Sequence, residues 1–180
     1  TTPTPSPTPN KGGGGGGGQQ GFSNVIYNIV IDYAEQYLST VSRHGYNYGP
    51  GIEQGNQVMA MLNYLRQNDP QLYNQLLQNP IIQQFLKTYQ EGAQQFAAAG
   101  MGFWYTPNAT MSPAQFTQTI ISDYTQKINQ ALQSGNYAEA EKYISELKTY
   151  LQSLGNVPGL SQQAINQLIN QLTTLDNEVQ

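Results

Sequence analysis

The stretch Phe22–Val41, FSNVIYNIVIDYAEQYLSTV, restricts the fold more than any other part of the chain. Phe22, Ile26, Ile29, Tyr33, Tyr37 and Val41 recur every three or four residues, which puts them on one face of a helix. Val25, Val30, Ala34 and Leu38 widen that face, and only Asp32 and Glu35 carry charge. A helix this apolar is normally central to its domain, with other helices packed around it. It is expected to end near Arg43, before a glycine-rich loop running from His44 to Gly51, with His44 as a loop residue holding a structural hydrogen bond.

The same helical period returns along the rest of the chain. Gln54–Gln67 carries Val58, Met61, Leu62 and Leu65 on one side. Asp69-Pro70 and Asn79-Pro80 each place a good cap before a proline at the first helical position, predicting helices over 71–78 and 81–99. Ser112-Pro113 with Gln115, and Asn136 with Glu139, read as capping boxes. They open stripes at Phe116, Ile120, Tyr124, Ile128, Ala131 and Leu132, then at Tyr137, Ala140, Ile144, Leu147, Leu151 and Leu154. Ser161 starts a last helix with Ile165, Leu168, Leu172 and Leu175 at the spacing of a bundle seam. The prediction is an all-α protein: an antiparallel helical bundle of about five to six helices filling residues 22–180 as a single domain, behind an extended, non-globular tail.

That tail is residues 1–21. TTPTPSPTP has proline at Pro3, Pro5, Pro7 and Pro9, which favours polyproline II and excludes helix. Gly12–Gly18 is an unbroken glycine run with no preferred conformation of its own. Thr1, the four prolines, Gly12, Gly15 and Gly18 are read as an assembly tail that lies on neighbouring subunits. Thr1 in place of Met suggests a processed N-terminus.

The stretch NDPQLYNQLLQNPIIQQFL resembles the Asp-Pro/Asn-Pro helical repeats of STI1-type domains, found in co-chaperones and ubiquilin-like proteins. The resemblance covers about 20 of 180 residues and implies a helical cradle for apolar segments of client proteins.

Composition enters through charge. Only 10% of residues are charged, against about 25% in ordinary soluble domains. In their place stand 25 Gln and 16 Asn. Amides hydrogen-bond alike in acid and at neutrality, whereas carboxylates lose their charge near pH 4. Such a surface suits an acid-exposed, extracellular protein, and in compositional style it resembles secreted and virion proteins of thermoacidophilic archaea. The net charge of −4 and the lack of any basic run leave no electrostatic footprint for nucleic acid. No run approaches about 18 consecutive apolar residues, so no membrane span is expected.

Chemistry-bearing patterns are missing. One histidine and no cysteine leave no metal-ligand spacing and no thiolate nucleophile. A serine triad could use only His44, and no Gly-x-Ser-x-Gly elbow exists. The glycine run lacks the Lys-Ser/Thr ending of a phosphate loop. No catalytic residue, cofactor or metal ligand is expected. The candidate interface residues are aromatic instead: Tyr46 and Tyr48 in the first glycine-rich loop, and Phe103, Trp104 and Tyr105 in the second. Three consecutive aromatics cannot all face one core. Asn108-Ala-Thr110 is an N-glycosylation sequon, so glycans are possible partners.

Together these features point to a non-enzymatic structural subunit of a filament, sheath or virion coat. It would be a homo-oligomer of many copies, outside the cell or on a cell or virion exterior. The competing expectation is a monomeric secreted binding module, using an apolar groove or the aromatic loop.

Overall fold

Regular structure in the computed structural model, which describes residues 17–179, is entirely helical. Among the described residues the elements are α1 (Gly17–His44), α2 (Gly49–Asn68), α3 (Pro70–Leu77), α4 (Pro80–Ala98), a 3-10 turn at Gly102–Trp104, α5 (Pro113–Gln133), α6 (Tyr137–Ser153) and α7 (Gln162–Val179). The seven α-helices exceed the expected bundle count of five to six and match the seven helical stretches of the sequence, the 8-residue α3 included. α1 begins at Gly17, ahead of Phe22 where the apolar period starts. The described residues gather into two units, one formed by residues 17–26 with residues 112–179, the other by Tyr27–Met111.

In the first unit α5 packs on α6, and α6 on α7. Ser112 caps α5 through a complete capping box, accepting from Gln115 N–H while the Gln115 side chain accepts from Ser112 N–H. α5 ends at a turn that needs a left-handed residue, supplied by Gly135 at φ +77°. Asn136 then caps α6 by accepting from Glu139 N–H, which is half of the reciprocal box expected there. Phe116, Ile120, Tyr124 and Ile128 of α5 are buried, as are Ala140, Ile144, Leu147, Tyr150 and Leu151 of α6 and Ile165 and Leu172 of α7. Each such aliphatic side chain contributes roughly 1.5–3 kcal/mol by leaving water. Phe22 stacks on Tyr150 with ring centroids 4.9 Å apart, and Gly21 lies so close to Thr149 that a Cβ would come within 2.8 Å of its methyl group. Tyr137 departs from the predicted stripe: it is 56% exposed. It is the first residue of α6, one turn before the buried face begins at Ala140.

The second unit is built around Tyr37 of α1, which is fully buried. Its ring meets Phe85 edge-on at 5.2 Å and Tyr89 at 6.2 Å, both on α4. α2 reaches this ring through Gly55, where a Cβ would lie 2.7 Å from a Tyr37 ring carbon. Four residues earlier, Gly51 presses on Thr40, with 2.9 Å for a Cβ. These contacts explain why α2 starts at Gly49 instead of Gln54. Of the glycines that read as helix breakers, Gly51 is a packing site and Gly45 supplies the positive φ of the loop, and Pro50 sits in the first turn, where its missing N–H costs nothing. The true loop is the short Gly45–Tyr48 segment. Both Asx-Pro pairs cap as the spacing predicts, with Asp69 accepting from Leu72 N–H at 3.2 Å and Asn79 from Ile81 N–H at 2.8 Å. Asn79 also donates to the Tyr27 hydroxyl at 2.9 Å, tying α4 to α1.

Candidate interaction surface

The 100–111 segment leaves α4 through Gly100, at φ +80°, and turns back at once. Met101 N–H donates to the Phe96 carbonyl at 2.7 Å. Gly102 then lies against Ala97, where a Cβ would meet the Ala97 backbone at 3.2 Å. The 3-10 turn that follows throws its side chains outward: Phe103 is 76% exposed, Trp104 48% and Met101 41%. The two rings stand 6.1 Å apart, tilted by 32°.

Tyr105 goes the other way. It is buried, edge-on to Tyr89 at 5.2 Å and to Phe96 at 5.1 Å, and its hydroxyl donates to the Tyr46 carbonyl at 3.2 Å. It therefore belongs to the core and not to the exposed aromatics with which the sequence groups it. The approach depends on Gly92 of α4, where a Cβ would lie 2.6 Å from the Tyr105 hydroxyl.

Two asparagines of α2 fix the loop backbone. Asn56 donates to the Trp104 carbonyl at 2.9 Å, and its oxygen accepts from Thr106 N–H at 3.0 Å and from the Tyr89 hydroxyl at 2.6 Å. Thr106 N–H also reaches the Tyr89 oxygen at 2.9 Å. Asn63, buried two turns further along, donates to the carbonyls of Pro107 at 2.9 Å and Ala109 at 2.7 Å. Neither asparagine stands out in a chain with 16 of them, and nothing in their local pattern marks them. Five hydrogen bonds from α2 and α4 hold a segment whose central side chains face water.

The tyrosine hydroxyls beneath this loop are shifted. Burial pushes Tyr37 far above the ordinary tyrosine range, with Tyr105 adding to the effect, and the Tyr37 hydroxyl closes no hydrogen bond of good geometry. Burial pushes Tyr89 up to about 12, against the opposing pull of the Thr106 N–H. Tyr105 is raised by burial, and Tyr46 by burial and by its bond to Glu91 at 3.1 Å. All of them remain neutral across the physiological range.

The other predicted residues lie as follows. Tyr46 is half-buried beside Tyr105, and Tyr48 is 39% exposed with the exposed His44 ring stacked on it at 4.1 Å. Asn108 is exposed between the two carbonyls that Asn63 holds, an accessible position for a sequon. Gly18 falls in the first turn of α1. Thr1, Pro3, Pro5, Pro7, Pro9, Gly12 and Gly15 lie outside the described residues. An open hollow of about 470 Å³ between α1 and α2 is lined by polar groups, among them Asp32, Glu35, Arg43 and Gln54. Among the described residues no group of three acidic or histidine side chains is placed to hold a metal, and no helix is long and apolar enough to cross a membrane.

No family model matches the chain, and neither a curated protein nor a solved structure does. The Asx-Pro pairs are thus understood from their geometry, as helix caps.

Proposed function

We propose that this chain is a non-enzymatic structural subunit of an extracellular assembly. Its helices form antiparallel bundles, and its copies associate through helical surfaces and the N-terminal tail. The observation that supports this most directly is the pinned aromatic loop. An exposed Phe–Trp pair costs solubility, and five hydrogen bonds hold it in place where a merely tolerated pair would be left mobile. Rigid aromatics are effective interface anchors because little side-chain entropy is lost when they are covered. The surface around them is rich in amides and poor in charge, which suits close packing of identical copies without like-charge repulsion, and suits an acidic exterior.

Sedimentation velocity and electron microscopy on the full chain test this reading. The expected result is a concentration-dependent shift to large, regular species. A single component near the chain mass of 19.9 kDa at millimolar concentration would refute it and favour a monomeric binding module.

A further inference from the structure

We infer that the Phe103–Trp104 platform is the docking site for the proline-rich N-terminal segment, Thr1–Pro9, of a second copy of this chain. The inference rests on the self-association reading and names the site it uses. Polyproline II segments are recognised by aromatic side chains, because a preformed helix loses little entropy and its proline rings pack flat against aromatic faces. This chain contains both halves of such a contact.

The dimensions agree. Polyproline II rises about 3.1 Å per residue, so prolines two apart step about 6.2 Å along the axis. Pro3, Pro5, Pro7 and Pro9 repeat that step, and the Phe103 and Trp104 rings are 6.1 Å apart. Prolines two apart occupy neighbouring ridges of the three-fold helix, which a pair of rings inclined at 32° meets better than a flat pair would. The segment's carbonyls have no partners within a polyproline helix, and Trp104 brings an indole N–H donor to them.

Charge agrees as well. Lys11 is the one charged side chain in the first 21 residues. In the unit that carries the platform, the exposed Glu91 of α4 supplies a carboxylate, accepting from Tyr46 and adjoining Gly92, on which the Tyr105 hydroxyl rests. The seven residues Asn10–Gly16 between the prolines and α1 can span at most about 25 Å.

Trp104 is the only tryptophan, so its fluorescence reports the platform in the intact protein. The full chain is diluted until light scattering shows single copies, and a synthetic peptide of residues 1–11 is added. The expected result is a saturable blue shift of Trp104 emission. A peptide with alanine at the four proline positions gives none, and Phe103→Ala weakens the response at least tenfold with unchanged far-UV circular dichroism. Without peptide, raising the concentration of the full chain produces the same shift as it assembles. Absence of a peptide response at millimolar concentration overturns the inference. So does a blue shift already complete in single copies and lost on Pro→Ala substitution of the four prolines, which would mean capture within one chain. So does assembly that leaves Trp104 emission unmoved, in which case self-association stands and only the docking site is wrong. A chain that never assembles, whatever the peptide does, refutes the self-association reading instead.

Discussion

Replacing Asn56 with alanine tests whether the aromatic loop is held or merely placed. The substitution removes two hydrogen bonds to the loop backbone and the acceptor of the Tyr89 hydroxyl, which lies on a residue only 3% exposed. The three bonds do not count equally. Trp104 is near the surface, so its carbonyl regains water. Thr106 N–H keeps the Tyr89 oxygen at 2.9 Å. The buried phenol is the costly group, since a donor left without an acceptor loses about 1–3 kcal/mol, beyond roughly 1 kcal/mol for an ordinary bond exchanged with water. The expected loss is about 2–3 kcal/mol. With a urea slope of about 1–3 kcal/mol per molar, the midpoint falls by about 1 M or more. Tyr89→Phe alone removes the orphaned oxygen beforehand, at about 1 kcal/mol. The double variant should therefore cost less than the sum of the two single ones, by about 1–2 kcal/mol. Urea unfolding followed by Trp104 fluorescence measures all three, and Trp104 anisotropy in native buffer should drop when Asn56 is lost. If the two substitutions add to within about 0.5 kcal/mol, Asn56 and Tyr89 do not act together and the account of the loop fails.

Three further outcomes are expected. Gly55→Ala gains about 1 kcal/mol of helix preference but drives a methyl to 2.7 Å from the buried Tyr37 ring, so the protein should lose about 1–2 kcal/mol overall; denaturant midpoints check this, and a more stable variant would show that the ring yields freely. Above pH 10 unfolded tyrosines release protons that the folded chain retains on Tyr37 and Tyr89, so stability is full below about pH 10 and falls as pH rises toward the raised folded values. Tyr89 alone should account for about 1–2 kcal/mol by pH 12 after solvent screening is allowed for, and thermal melts that stay level from pH 9 to 12 would contradict the burial argument. In the other direction, a chain with only 11 carboxylates should unfold at nearly the same urea concentration at pH 7 and pH 2, and a loss of several kcal/mol on acidification would mean that its few charges carry the fold.

The helices α3 to α6 were legible because each one's apolar period, cap and stop agree. Asp69-Pro70 and Asn79-Pro80 fix two starts within one residue, since few other residue pairs satisfy a first-turn N–H and preset φ together. The start of α2 was not legible. Gly49-Pro50-Gly51 has the local chemistry of a turn, and only tertiary packing decides otherwise: Thr40 fills the space where a side chain at Gly51 would be. A glycine needed for close approach and a glycine needed for positive φ look alike in one sequence. Gly45 is the second kind and Gly51 the first, six residues apart.

The same limit governs the aromatic loop. Sequence shows that Phe103, Trp104 and Tyr105 cannot all point inward, but not which one does. The choice follows from hydroxyl chemistry and from space. The Tyr105 hydroxyl gives a hydrogen bond to the Tyr46 carbonyl, and Gly92 leaves a gap that admits its ring and oxygen. Once Tyr105 is seated, Asn56 clasps the carbonyl before it and the N–H after it. The backbone on either side of Tyr105 is then committed, so Phe103 and Trp104 have no route back to the core. Their exposure is thus imposed by bonds that a looser loop would not form. Tyr105→Phe should retain the ring packing and lose the anchor to Tyr46, while Asn56 still holds Trp104. Phe103 and Trp104 should then stay exposed but become more mobile. Hydrogen exchange at Thr106 should quicken in Asn56→Ala far more than in Tyr105→Phe. Equal protection in both would mean that packing of the Tyr105 ring, and not the Asn56 bonds, sets the loop.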